Sequence, residues 1–314
     1  MTIDARARRR AFVLMVIAPV MWSMAGIFTR HLDDARGFEI TFWRSLSAAA
    51  FVAVTLFWRD GKGALATIRR MGVMGMVSGA MWASMFSAFM LALTMTTVAN
   101  TLIVESISPL LTVVFAWLFL KEKAPMSTWA AIGLAFIGMV WMFAAGMAVL
   151  EGRHLAGMFM ALVVPVAAAI NFIVLRKTSG KIEMIPTIML GGLLSALAML
   201  PLAWPLQASL HDIGIMVLLG IFQLGLPCML MIRATEHLSA PEISLLAMLE
   251  VVLGPIWVWL GVGEVPSHDT LIGGIIILGA LILHEMALGR PAQTTQAASP
   301  VVYTSHDGKG SAKQ

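Results

Sequence analysis

Ser108-Pro-Leu-Leu-Thr-Val-Val-Phe-Ala-Trp117-Leu-Phe-Leu-Lys-Glu122 lies over Glu250-Val-Val-Leu-Gly-Pro-Ile-Trp-Val-Trp259-Leu-Gly-Val-Gly-Glu264. Trp117 meets Trp259, Leu118 meets Leu260 and Glu122 meets Glu264. Just downstream, Pro125, Gly133 and Gly138 fall opposite Pro266, Gly274 and Gly279. Upstream in each copy, Pro19 and Arg30 are eleven residues apart, as are Pro165 and Arg176. Taken in order, these matches indicate two homologous halves, each carrying long apolar runs that end in a glutamate.

The composition says what surrounds those runs. Of 314 residues, 59% are hydrophobic and only 12% charged, with a mean hydropathy of +0.88. A soluble domain carries about 25% charge, and a core of this size cannot hide so much apolar surface from water. The excess faces lipid. The same figures exclude a coiled coil, a disordered chain and a nucleic-acid-binding domain, and the net charge of +4 arises from loops on one side of a membrane. With Cys228 the only cysteine, no disulfide framework or cysteine-rich metal site can be built.

Charge-free stretches give the spans. None of the residues from Met71 to Val104, Ala124 to Leu150, Leu155 to Leu175, Met184 to Leu210 or Ile213 to Ile232 is charged. About 20 apolar residues cross the hydrocarbon core. Ten helices are expected, near 11–30, 38–58, 71–93, 97–120, 128–149, 155–175, 184–206, 213–233, 240–262 and 270–288. The first is expected to be retained rather than cleaved as a signal peptide, since it holds Pro19 and Trp22 and lacks a small-residue cleavage site.

Lysine and arginine orient the chain. With a cytoplasmic N-terminus, only Arg30, Arg36 and Arg153 of the 21 basic residues fall outside. Arg44 lies within a span, and the rest are inside. Residues 1–10 then form a basic cytoplasmic N-terminus, 11–149 the first repeat, 150–289 the second, and 290–314 a disordered cytoplasmic tail. Five spans per half is an odd number, so the second half enters the membrane upside down. The expected fold is an all-α integral membrane protein of ten transmembrane helices in two inverted five-helix repeats, with a site between the halves.

Helices that run from a proline through Trp-Leu to a Gly-Glu or Lys-Glu end in both halves resemble the drug/metabolite transporter superfamily, in its EamA-type branch. The resemblance covers about residues 11–288. Lys121 stands where that family usually has glycine. Val251 follows Glu250 where proline is usual, with a proline displaced to Pro255. The resemblance implies a substrate cavity lined mainly by the first, third, fourth, sixth, eighth and ninth helices, opened alternately to each side.

No enzyme motif is found. Gly75-Met-Val-Ser78-Gly79 has the wrong spacing for an intramembrane serine site and reads as a small-residue packing face. Without a nucleotide-binding loop, active transport would use an ion gradient or exchange. Ionisable groups inside spans are costly and mark partners or water-filled cavities. Arg44 and Glu105 lie at matching depths in the second and fourth helices. They read as a buried ion pair that fastens two helices or anchors a zwitterion. Glu250, mid-way along the ninth helix, reads as a helix-bonding carboxyl or as a proton or substrate-amine site. His284 and Glu285 lie near a helix end and read as anchors.

Neutral polar groups at depth are Asn100, Asn171 and Gln223, each able to bond substrate or another helix. Trp22 and Trp82 lie in the middles of the first and third helices, both cavity helices by the resemblance, and are candidate substrate contacts. Trp43, Trp58, Trp129 and Trp204 read as interfacial belt. Pro19, Pro109, Pro165, Pro227 and Pro255 are expected to bend their helices. Glu122 and Glu264 are twins on opposite faces, expected to hold the turns that end their spans.

These readings point to a secondary active transporter, an exporter of small organic metabolites such as amino acids across a bacterial inner membrane. The alternatives are a membrane receptor or scaffold, or an intramembrane enzyme, whose nucleophile–base or metal constellation is missing. The expected partners are a small-molecule substrate, the lipid bilayer and, where transport is coupled, protons. A homodimer is a further open expectation. No cofactor, metal or nucleic acid is expected.

Overall fold

The computed structural model describes residues 5–24, 27–28, 31–32, 37–96, 98–144, 152–263 and 265–288. The expectations for Arg30, Arg36, Glu264 and the 290–314 tail lie outside these residues. The described chain is helical throughout, with no strand among the described residues. Its helices are α1 Ala5–Ser23, α2 Gly37–Asp60, α3 Ala64–Arg70, α4 Gly72–Met95, α5 Val98–Glu105, α6 Ser108–Phe115, α7 Met126–Phe143 and α8 Gly152–Thr178. There follow α9 Pro186–Ala203, α10 Leu210–Leu218, α11 Leu226–Ala234, α12 Ala240–Ala247, α13 Leu249–Val262 and α14 His268–Leu288.

Eight helical rods are long and apolar enough to cross a membrane, beginning at Gly37, Gly72, Asn100, Leu155, Pro186, Leu210, Ala240 and His268. The expected count of ten is therefore met only in part. The apolar helix Met126–Met142 is shorter, and α1 opens on Arg6, Arg8, Arg9 and Arg10, which shortens its apolar part.

Four rods are not continuous α-helix, and in the first of them a 3₁₀ turn at Gly61–Gly63 separates α2 from α3. Between α5 and α6 the chain turns at Ser106 and Ile107. Between α12 and α13 it turns at Met248, the matching place in the second copy. Wider π turns follow α6 at Ala116–Leu120 and follow α10 at Leu219–Gly225. The prolines divide accordingly. Pro19, Pro165 and Pro255 are inside helices. Pro109 and Pro227 instead stand in the first turn of α6 and α11, where a missing N–H costs no hydrogen bond. These two start new segments rather than bend existing ones.

The extensive contacts come in pairs that exchange the halves. α4 packs on α8 as α11 packs on α1, and α4 packs on α9 as the 219–225 turn packs on α2. The α5 and α6 pair lies on α8 as α12 and α13 lie on α1. Two contacts map onto themselves, α2 on α9 and α7 on α14. In the last, a Cβ on Gly138 would lie 2.9 Å from the Gly273 carbonyl oxygen, and one on Gly273 would lie 2.5 Å from that of Gly138. Only glycine permits backbones this close.

Hydroxyls, those of Ser45 and Ser195 fully buried, sew the central helices together. Ser45 of α2 donates to Ser195 of α9 at 3.1 Å, and Ser87 of α4 donates to the same oxygen at 3.1 Å. The outward faces are apolar, as at Phe57, Phe159, Leu197, Ile275 and Ile282, where lipid would lie.

Candidate functional site

Gly220 sets the site's position. A Cβ there would be 2.5 Å from the backbone oxygen of Arg44, so the π turn lies directly on α2. Gln223, three residues on, is thereby brought to the guanidinium. Arg44 Nη1 donates to Gln223 Oε1 at 3.4 Å, and Gln223 Nε2 donates to the Trp22 carbonyl at 3.2 Å. That carbonyl belongs to the last turn of α1, where helix carbonyls lack partners within the helix. One amide thus joins three rods. Cys228, 1% exposed, lies against the Trp22 side chain and within electrostatic reach of Arg44 and Glu250.

On the far side lie the two helix breaks. Glu105 ends α5 and Glu250 is the second residue of α13, and the two carboxyls lie within electrostatic reach of one another. Arg44, Glu105 and Glu250 are each enclosed by protein, yet each retains accessible surface. Through Gln223, Trp22 and Cys228 these groups form one polar centre.

The expected Arg44–Glu105 ion pair is not formed among the described residues. Arg44 makes its hydrogen bond to Gln223, and its buried Nε has no partner. The physical reason is rotation. Matching depth along two helices does not make their side chains face each other, and the Gly220 contact directs Arg44 to the π turn at Leu219–Gly225.

Of the six expected substrate contacts, Trp22, Gln223 and Glu250 belong to this polar centre. The others lie in helix interfaces. Trp82 is 2% exposed, its ring is 5.5 Å from that of Phe86, and a Cβ on Gly191 of α9 would collide with it. Its indole N–H has no partner. Asn171 Oδ1 accepts from Ser78 at 2.6 Å, and Ser78 also donates to Thr187 at 3.1 Å. That arrangement joins α4, α8 and α9 and leaves Asn171 Nδ2 without a partner. Asn100 donates to Thr96 at 2.8 Å.

Several groups were not singled out by sequence. Glu39 is fully buried. It accepts from the backbone N–H of Gln207 at 3.1 Å and of Ala208 at 2.9 Å, tying α2 to the segment before α10. It also accepts from Trp43 at 3.4 Å, so Trp43 faces a carboxylate rather than the lipid interface. Trp58 and Trp204 are 89% and 69% exposed. Trp257 donates to Ser23 at 2.8 Å, pinning α13 to α1. Glu39 lay at the edge of an expected span, where a carboxylate is unremarkable in sequence. The approach of residues 207 and 208 is a tertiary event.

At the other end of the bundle ion pairs join the halves. Arg176 meets Glu122 at 3.7 Å and donates to the Thr235 carbonyl at 3.1 Å. Arg59 meets Glu183 at 3.1 Å, and Arg8 binds Glu242. His284 is buried, 3.0 Å from Thr128, and Glu285 lies 3.9 Å from Arg8.

A multi-pass membrane protein of two packed repeats around a polar centre is the class that this fold and site define. The family model of the EamA-like transporter family matches residues 9–144 and 155–285. The chain belongs to that family, whose members are transporters and not enzymes. It is 26% identical over 248 residues to the pseudopaline exporter CntI of Pseudomonas aeruginosa, covering 78% of this chain and 84% of that protein. It is 25% identical over 275 residues to the S-adenosylmethionine uptake transporter of Rickettsia felis, covering 85% and 89%. Human solute carrier family 35 member G1 is 24% identical over 286 residues, covering 84% and 76%. A crystal structure with 17% identity and a TM-score of 0.77 covers 90% of this chain and all of its own, a likeness of fold.

Proposed function

We propose that the protein is a secondary active exporter of small organic metabolites, amino acids among them, working by alternating access in a bacterial inner membrane. The observation that carries this reading is the buried polar centre in which Arg44, Gln223 and Trp22 lie around Cys228, with Cys228 in electrostatic reach of Glu250 and Glu250 in reach of Glu105. It lies where the broken rods of the two repeats meet, the kind of place where transporters hold cargo. Ten crossings in two inverted sets of five, with both termini cytoplasmic, complete the reading. Its supports are the exchanged helix contacts and the one-sided placement of lysine and arginine. Relatives are an exporter and an uptake transporter.

Labelled amino acids in proteoliposomes provide the test. Counterflow through the protein is expected for at least one of them, and pre-loading the vesicles should accelerate uptake of label. Vesicles as tight with the protein as without it, for the whole set, would overturn the reading. Reporter fusions at Gly152 and the C-terminus are expected on opposite sides of the membrane.

A further inference from the structure

The interior holds charges that do not meet. Among the described residues, the guanidinium of Arg44 has a single hydrogen bond, to Gln223, and its Nε is buried with no partner. No ion pair among the described residues reaches Arg44, Glu105 or Glu250. Glu105 lies within electrostatic reach of a second carboxylate, Glu250. A cation or carboxylate enclosed by protein in a membrane is costly unless an opposite charge or water compensates it. Cys228 is in electrostatic reach of both Arg44 and Glu250, and the Trp22 side chain lies against it.

We infer that the transported solute supplies the missing counter-charges, its carboxylate taken by Arg44 and its ammonium held between Glu105 and Glu250. An inorganic cation or a simple amine would satisfy the carboxylates and leave Arg44 alone. A simple anion would do the reverse. Only a molecule carrying both charges satisfies both poles. Gln223 then has a positioning role. Its Oε1 accepts from the guanidinium while its Nε2 is fixed on the Trp22 carbonyl, so the amide holds the guanidinium in place and leaves its other donors for the solute. The half-buried Trp22 beside Cys228 offers an apolar wall for the solute's body. The charges do not cancel within the site. One guanidinium faces two carboxylates, so bound solute brings a second positive group, or one glutamate keeps a proton.

This assignment rests on the transport reading above and is tested apart from it. The full chain in lipid nanodiscs is heated alone and with three matched sets of probes. These are the proteinogenic amino acids, the amines left when each loses its carboxylate, and the acids left when each loses its amine. At least one amino acid should raise the melting temperature while its amine and acid counterparts do not. Arg44→Gln should weaken that amino acid's binding at least tenfold, and Glu250→Gln should also weaken it. The ligand-free Arg44→Gln protein should melt at or above the temperature of the unchanged protein, because it loses an uncompensated buried charge. A ligand-free Arg44→Gln protein that melts several degrees lower would show that Arg44 has a structural partner, and would overturn the assignment. So would a set in which only amines bind and Arg44→Gln keeps them, or one in which nothing binds. Counterflow separates the two claims. An amine carried normally by Arg44→Gln sinks the assignment and leaves transport standing. An amino acid that binds through Arg44 but is never carried sinks transport alone.

Discussion

Lys121 has a backbone that lysine rarely adopts. Its φ is +60°, and its twin Gly263 has φ +77°. Both close the last turn of their rods, at the position before a glutamate, where the left-handed conformation lets the chain turn back. Glycine enters that region freely, whereas a Cβ there costs about 1–2 kcal/mol. Replacing Lys121 with glycine also adds about 0.4–1 kcal/mol of chain entropy to the unfolded state. The difference leaves a net gain of about 0.5–1 kcal/mol for Lys121→Gly, seen as a rise of about 2 °C in melting temperature. Lys121→Ala removes the same charge and keeps the Cβ, so it should show none of this gain. Equal stabilisation by both would mean that the lysine charge, not the backbone, was the cost.

The π turn at Leu219–Gly225 lies on α2 through Gly220. A Cβ there would press on backbone, the oxygen of Arg44 at 2.5 Å and the Ala48 nitrogen at 3.0 Å, which cannot swing aside as a side chain can. Gly220→Ala should therefore destabilise by about 1–3 kcal/mol, the usual cost of overpacking, and should part Gln223 from Arg44. Gly214, one rod segment earlier, has nothing within 4 Å of its Cβ position. Gly214→Ala is the matched control, expected to be neutral or mildly stabilising from helix propensity. Thermal unfolding of the pair checks this, and equal melting temperatures would show that the rods are not held by this contact.

The same contact shows what was legible at this scale. Runs without charge placed the rods, and the duplicated Trp-Leu-x-x-x-Glu ends placed the halves. The depth of Arg44, Glu105 and Glu250 could be counted along the chain. Which side of a rod faces which neighbour could not be counted, because it depends on where a glycine such as Gly220 admits another backbone. Trp22 and Trp82 are both central in sequence. One lies beside Gln223 and Cys228 and the other is packed against Gly191. The breaks at Ser106–Ile107 and Met248 were equally hidden, since neither has a helix-breaking residue at the turn itself.

Across the whole molecule, the ion pairs that join separate rods among the described residues lie at the start of α1 and α12 and at the ends of α2, α6, α8 and α14. In a bundle whose rods alternate in direction, these are all one end, the arginine-rich end taken as cytoplasmic. Arg176 is central among them. It crosses from α8 to Glu122, just after the rod that begins at Asn100, and to the carbonyls of Thr235 and Glu236, just after the rod that begins at Leu210. Exposed ion pairs are worth about 0–1 kcal/mol each, a scale suited to a latch that must open repeatedly. Cys228, the only cysteine, is buried beneath that end and beside the site, so its thiol reports whether the end has parted. In vesicles oriented with the cytoplasmic face outward, a membrane-impermeant thiol reagent should label Cys228 slowly. Arg176→Ala removes an ion pair and two carbonyl bonds together, and should speed labelling several-fold from this side, with little change in melting temperature. Faster labelling only from the opposite side would place the latch at the other end of the molecule, and unchanged labelling from both sides would mean that Arg176 braces the turn without governing access to the site.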